Sequence, residues 1–166
     1  DTLWDIDDER ASRSLQPYRV VDGVICPEGQ APLGSGGLSA MGGLWSTVAD
    51  LARWVRFWCD AYPPRDEPDD APLSRASRRP AQQVATAYDP PEVHHRDDGS
   101  VRVVAQGYAM GLERCNHQRF GPVVTHSGGL PGYGSNMRWL PERGIGVVAM
   151  ANRFYAPTRL LTDSVL

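Results

Sequence analysis

The segment that most narrows the fold is Ile145-Gly146-Val147-Val148-Ala149-Met150-Ala151, seven residues without a charge. It is apolar on both alternating faces, the pattern of a β-strand covered on both sides. Just before it, Pro141-Glu142-Arg143-Gly144 suits a four-residue turn with glycine at its end. Asn136 to Leu140 then pairs with the apolar strand as a hairpin. Upstream, Val101 to Val104, Tyr108 to Cys115 and Phe120 to His126 read as further strands. Downstream, Pro157 precedes Thr158 to Leu166, whose Leu160, Leu161 and Val165 fit a terminal helix. The expected fold class is α+β, an antiparallel sheet flanked by helices.

Residues 46–60 carry the clearest helical pattern. Ser46 or Thr47 can cap it, with Asp50 three residues after Thr47 in a capping-box-like place. Leu51, Trp54, Val55 and Trp58 make one apolar face, which predicts a helix docked on a core rather than a stacking platform for a ligand. Residues 1–45 are loop-rich, with a strand or turn within Tyr18 to Cys26 and a glycine cluster at Gly34-Ser35-Gly36-Gly37 and Gly42-Gly43. No Gly-Lys-Ser/Thr follows those glycines, so they read as a tight structural loop and not a phosphate cradle. Pro63-Pro64 ends the helix, and residues 63–73 read as an exposed, mobile acidic loop. A short helix from Ser74 to about Val84, kinked by Pro80, comes next. Asp89-Pro90-Pro91 breaks the chain again, His94-His95 falls in a polar loop, and Asp97-Asp98-Gly99 reads as a turn.

The 166 residues carry 17 basic and 20 acidic side chains, a net charge of −3. That excludes a nucleic-acid or anionic-membrane partner held by bulk charge. Every basic residue is arginine, so no mechanism that needs a lysine can run on these residues alone. No apolar run approaches the roughly 20 residues that span a bilayer. No basic-then-apolar leader opens the sequence, so no signal peptide is expected in it, and the missing initiator Met predicts processing or a start inside a longer protein; the compartment stays open. Cys26, Cys59 and Cys115 are odd in number and widely spaced, so free thiols are expected. His94, His95, Cys115 and His117 match no common zinc spacing, and no metal is expected.

Chemistry concentrates at Thr125-His126-Ser127-Gly128-Gly129-Leu130-Pro131-Gly132-Tyr133-Gly134, a strand end running into a glycine-dense turn. An imidazole and a hydroxyl beside glycine-exposed N–H groups can bind an anion or help form an oxyanion hole. Neighbours on a strand point to opposite faces, so His126 is badly placed to act as a base on Ser127. The Gly-x-Ser-x-Gly elbow is missing as well, which disfavours a self-contained triad of the α/β-hydrolase kind. On spacing alone, a plain hairpin turn is the other reading.

Four segments, taken in order, resemble the serine hydrolases related to class C β-lactamases and penicillin-binding proteins. Ser39 to Trp54 is similar to the family's GGL-x-ST-x-x-DLARW segment, and Tyr108-Ala-Met-Gly-Leu112 to its YGLGW strand. His126-Ser-Gly-Gly-Leu-Pro-Gly-Tyr-Gly-Ser135 resembles its HSGG-x-PGY-x-S stretch. Trp139 to Val148, followed by Ala151-Asn152, resembles its P-E-x-G-x-G-V-V-x-x-x-N close.

The resemblance implies a partial β-lactamase/transpeptidase-like fold, with residues 1–166 as the C-terminal part of a single domain. It implies acyl transfer from an ester, amide or β-lactam through an acyl-serine, on a small-molecule or peptide substrate and without a cofactor. An esterase or carboxypeptidase fits better than a true β-lactamase. His126 and Ser127 would be the catalytic pair, replacing the Lys-Thr/Ser of the Lys-Thr/Ser-Gly motif, and an imidazole can change charge near neutral pH where an ammonium cannot. Gly128 and Gly129 would form the substrate-binding and oxyanion element, with the Gly129 N–H as half of the hole.

The family's Ser-x-x-Lys and Tyr-x-Asn are missing; at Tyr133-Gly134-Ser135-Asn136 the asparagine comes one position late. The nucleophile and proton shuttle are therefore expected in a missing N-terminal portion, and the 166 residues alone are expected to be inactive and poorly soluble, with an unpaired sheet edge. The alternative is a non-catalytic binding or interaction domain on the same scaffold.

Overall fold

Glycine and proline fix where this backbone turns, and the elements fall between them. The computed structural model describes residues 1–31, 33–34, 36–88, 91–117 and 119–166. Ser35 of the glycine cluster and the Asp89-Pro90 break lie outside the described residues. In chain order come α1 (Asp8–Ser12), β1 (Tyr18–Val21), β2 (Val24–Pro27), α2 (Val48–Cys59), α3 (Arg75–Ala81), β3 (Thr86–Ala87), β4 (Glu92–His95) and β5 (Val101–Val104). They are followed by β6 (Gln106–Tyr108), β7 (Glu113–His117), β8 (Gly121–Leu130), β9 (Tyr133–Leu140), β10 (Ile145–Ala151) and α4 (Thr158–Val165). Among the described residues, one sheet has the order β10-β9-β8-β7-β6-β3, while β1–β2 and β4–β5 are separate hairpins. The fold class is α+β, as the sequence predicts.

The helix expected over 46–60 forms as α2. Thr47 caps it: its Oγ1 accepts from the Asp50 N–H at 3.1 Å, and its carbonyl accepts from Leu51 N–H at 3.0 Å. Val55 and Trp58 are buried as expected, but Trp54 is 44% exposed and stacks on Phe57 with centroids 5.4 Å apart. The β9–β10 hairpin also forms, closed by a 3₁₀ turn over Pro141–Arg143 and by Gly144 in the left-handed region at φ 63°.

Several expectations are corrected. Tyr108 to Cys115 is not one strand but the β6–β7 hairpin. Gly111, at φ 72°, turns the chain, and Ala109 N–H donates to the Leu112 carbonyl at 2.7 Å. The glycine-dense stretch after His126 is not one long turn: β8 runs through Ser127, Gly128 and Gly129 to Leu130, and only Pro131-Gly132 bends. The helix after Ser74 stops at Ala81, where the N–H groups of Gln82 and Gln83 reach back only three residues, to the carbonyls of Arg79 and Pro80, and tighten the last turn. His94 and His95 sit in β4, paired with Arg102 and Val101 of β5, not in a loop. β10 lies at the border of its sheet and exposes Ile145 and Met150, so it is not covered on both faces. In α4 the buried residues are Thr158 and Thr162, while Leu160 is 68% exposed and Leu161 and Val165 are exposed too.

The chain divides into two compact units. One comprises Asp1–Arg53, Ser127–Met137 and Val147–Leu166; the other comprises Trp54–His126 and Arg138–Gly146. The buried hydrophobic side chains among the described residues, from Val55 and Trp58 to Val124 and Trp139, all belong to the second unit. At its centre the Gln82 amide accepts from Trp139 Nε1 at 2.9 Å and donates to the Trp58 carbonyl at 3.1 Å. The acidic loop 63–73 is tied down within this unit. Asp69 accepts from the Arg75 N–H and pairs with buried Arg78 at 3.2 Å, and Asp60 pairs with Arg65, Arg75 and Arg78. The first unit has the β1–β2 hairpin, turned at Asp22-Gly23 with both residues at positive φ, and buries polar groups instead: Asn136, Thr158 and Thr162.

Candidate active site

The candidate residues lie on β8. In the second unit, His126 Nε2 is 3.1 Å from the hydroxyl of Tyr108, with ring centroids 6.0 Å apart at a steep 68°. Tyr108 ends β6, and the β6–β7–β8 ladder (Tyr108↔Glu113, Glu113↔Thr125) brings it level with the residue before His126.

In the first unit, the two-residue connection Pro131-Gly132 sets Ser127 across from Asn136. Asn136 Nδ2 donates to Ser127 Oγ at 2.9 Å, and Asn136 Oδ1 accepts from Thr162 Oγ1 at 2.5 Å. Asn136 is 1% exposed and Thr162 fully buried, so this side-chain chain is rigidly enclosed up to Ser127, which is exposed. Thr158 and Thr162 are four residues apart on α4 and therefore share the face turned inward. His126 and Ser127 thus engage separate partners, as strand alternation requires.

The backbone of β8 has a direction of its own. The bonds Ala109 N–H to Leu112 and Asn116 N–H to Ala105 set the even residues of β7 toward β6. Its odd residues, Glu113, Cys115 and His117, then face Thr125, Val123 and Gly121 of β8. Continuing the alternation, Ser127 and Gly129 point their N–H groups to the same side as Thr125. The β7 register ends at Thr125. Donors at such a strand tip can meet an incoming oxyanion.

Ser127, Gly129, Ser135, Tyr155 and Arg159 line a cavity of about 270 Å³. The glycines here are needed for space. A Cβ on Gly129 would come within 2.5 Å of the Tyr155 ring, and one on Gly128 within 2.5 Å of Ser135 Oγ. The cavity combines hydroxyls and a guanidinium, a lining suited to an oxygen-rich anionic group.

Sequence reasoning singled out His126, Ser127, Gly128 and Gly129 but missed Tyr108, Asn136, Thr162, Tyr155 and Arg159. Tyr108 lay inside a noted motif. Asn136 was visible only as an asparagine one place late, and its pairing with Ser127 needed the true length of the turn. Among the described residues, no group of three or more His, Cys, Asp or Glu side chains is placed to hold a metal ion. Among the described residues, no disulfide joins Cys26, Cys59 or Cys115.

The sequence model of the Beta-lactamase family matches residues 4–165, and the chain belongs to that family of serine hydrolases. Among solved structures it is similar to the octameric penicillin-binding protein homologue from Pyrococcus abyssi, at 21% identity and a TM-score of 0.73. The likeness covers 99% of this chain and 32% of that one, so the chain spans about a third of the length of the structure it matches. The fold is therefore β-lactamase/transpeptidase-like. A comparison with curated proteins finds no match. No helix among the described residues is long and apolar enough to cross a membrane.

Proposed function

We propose that these 166 residues form one wall of the acyl-transfer site of a serine hydrolase that cleaves an ester, amide or β-lactam through an acyl-serine. The observation that carries the reading is the tip of β8, where an imidazole, a hydroxyl and outward-facing N–H groups follow one another. In this reading the Gly129 N–H takes the carbonyl oxygen as it becomes an oxyanion, where a fixed donor lowers the barrier more than it stabilises the ground state. Ser127, positioned by Asn136, hydrogen-bonds the bound substrate. His126, held by Tyr108, supplies a hydrogen bond or positive charge beside the reacting centre. The substrate is a small molecule or peptide.

The nucleophile and its base come from outside these residues, because a serine without an activating partner is a poor nucleophile and the sequence has no lysine to activate one. We place them in an N-terminal portion of the same domain. The place of β10 at the border of its sheet among the described residues, with Ile145 and Met150 exposed, and the exposed Leu160, Leu161 and Val165 of α4 support this, being apolar surface that a further part of a domain would cover.

The test is His126→Ala in the full-length protein, assayed on a chromogenic ester and on a β-lactam. Turnover should fall by about 100-fold or more with the fold retained. Unchanged hydrolysis removes His126 from the mechanism. The 166 residues alone should show no turnover of either compound. The absence of lysine also favours a second reading, a binding domain that has kept the scaffold without the chemistry. Coding sequence upstream of Asp1 that lacks Ser-x-x-Lys and Tyr-x-Asn would select it.

A further inference from the structure

Among the described residues, two that are not glycine are held at positive φ, Asp22 and Tyr155. Asp22 is accounted for by the turn of the β1–β2 hairpin, where both central residues take that region. Tyr155, at φ 46°, has no such account. It is the third residue of a turn closed by Ala156 N–H donating to the Arg153 carbonyl at 3.1 Å, a place where positive φ ordinarily selects glycine or asparagine. A bulky residue there is strained, and folding alone would be better served by glycine.

The surroundings hold that conformation in place. Phe154 N–H donates to the Tyr18 carbonyl at 2.8 Å and Tyr18 N–H to the Asn152 carbonyl at 3.1 Å, which fixes the chain just before Tyr155. Just after it, Ala156 lies close on β9, its nitrogen 2.8 Å from where a Cβ on Gly134 would stand. The ring itself adds little stability: Tyr155 is 69% exposed, and its hydroxyl has no hydrogen-bond partner among the described residues. Strain kept without a structural gain marks a functional position.

The place of the ring says which function. Its Cδ1–Cε1 edge lies against Gly129, at 2.7 and 2.5 Å from where a Cβ would stand, and Tyr155 lines the same cavity as Ser127. Gly129 carries the N–H that takes the oxyanion in the acyl-transfer reading. A substrate group that leaves that carbonyl on the cavity side of β8 therefore meets Tyr155. The hydroxyls and the Arg159 guanidinium of the cavity serve oxygen atoms, whereas the ring offers carbon. Phe154, itself 41% exposed, stands against Tyr155 with centroids 4.6 Å apart and planes at 62°. Two exposed rings at such an angle form a corner, and a third ring can meet one of them edge-on or offset, a gain that an aliphatic group does not have.

We propose that Tyr155 is a specificity residue of the acyl-transfer site and that the substrate carries an aromatic ring beside its scissile carbonyl. The proposal rests on the acyl-transfer reading and adds a substrate class to it.

The experiment measures kcat/KM of the full-length protein for ethyl acetate, ethyl phenylacetate and benzyl acetate, with acid release followed in a pH-stat. The last two place the ring on the acyl side and on the leaving side, and each value is divided by the hydroxide-catalysed rate of the same ester. One of the two aromatic esters should exceed ethyl acetate by about tenfold. Tyr155→Gly and Tyr155→Asn, both suited to positive φ, should bring that ratio close to unity, while Tyr155→Phe should keep it. The urea midpoint of Tyr155→Gly should hold or rise, because the strain is relieved and only an exposed ring is lost. Equal rates for the three esters overturn the proposal and leave the acyl-transfer reading standing. So does a preference that survives both Tyr155→Gly and Tyr155→Asn. A lower urea midpoint in both variants, with all three esters slowed alike, overturns it in favour of a structural role for the ring. No turnover of any ester overturns the acyl-transfer reading itself, and this proposal with it.

Discussion

Replacing Gln82 with methionine removes one of the few fully buried amides without opening a cavity, since the two side chains are close in volume. The Gln82 side chain makes three hydrogen bonds: from Trp139 Nε1 at 2.9 Å, and to the carbonyls of Trp58 and Arg78, both at 3.1 Å. The Trp58 carbonyl keeps a second donor, the Ala61 N–H at 3.3 Å. The Trp139 indole N–H is enclosed in a residue of 0% exposure and has no water to turn to. A buried donor left unsatisfied costs about 1–3 kcal/mol, and the lost bond to the Arg78 carbonyl adds about 1 kcal/mol. Gln82→Met should therefore destabilise by about 3 kcal/mol, a large part of the 5–15 kcal/mol typical of a domain. Trp139→Phe strands the Gln82 side-chain oxygen Oε1 instead and should cost a similar amount. The double variant strands neither group, so it should be more stable than the sum of the single effects predicts, by about 1–2 kcal/mol. Urea unfolding followed by tryptophan fluorescence measures all three, provided the slope is unchanged. A cost below about 1 kcal/mol for Gln82→Met, or strict additivity in the cycle, refutes the reasoning.

Other perturbations test separate parts of the molecule. The Arg75 N–H holds the Asp69 carboxyl below its usual range against some burial, helped by Ala71 and Arg78; at Asp60 burial pushes upward, but hydrogen bonds from Arg65, Arg75 and Arg78 outweigh it. Both folded pKa values lie below the unfolded ones, so their stabilisation is complete above about pH 4 and drains away as pH falls through the depressed values. Asp69→Asn should flatten that acid limb in a pH series of urea midpoints. Burial pushes the Cys59 thiol up to about 11, so in the native protein a thiol reagent at pH 8 should label the partly exposed Cys26 and Cys115 well before Cys59, as peptide mapping would show. On the proposed acyl-transfer function, Gly129→Ala should drive the Tyr155 ring out of place and lower ester hydrolysis by the full-length protein at little cost in stability. Gly146→Ala has the opposite profile: its Cβ would press on Val55 and stand 3.0 Å from Trp139 Cβ, costing about 1–3 kcal/mol in the urea series.

What could be read from the sequence follows from how local each signal is. Thr47 and the apolar spacing of Val55 and Trp58 define α2 within a dozen residues, and Pro141 to Gly144 define their turn by backbone chemistry alone. The glycines after His126 misled because glycine signals backbone freedom and small size alike. At Gly128 and Gly129 size decides, as Ser135 and Tyr155 leave no room for a Cβ. In α4 the apolar spacing pointed to an inward leucine face, yet Thr162 turns inward, where its hydroxyl donates to the buried Asn136 amide oxygen and meets that oxygen's need for a donor. That requirement comes from a residue 26 positions away. Tyr108 and Asn136 escaped notice for the same reason: each gains its meaning from a strand pairing, and no window of sequence contains both members.

The β4–β5 hairpin stands outside the main sheet with its four β4 residues exposed. Two strands on their own are marginal in water. This arm should open far more often than the Trp139 core, exchanging its amide hydrogens with solvent while those of β7 and β8 stay protected. A protease that cuts after arginine would find Arg96, at the hairpin's tip, long before it found Arg78.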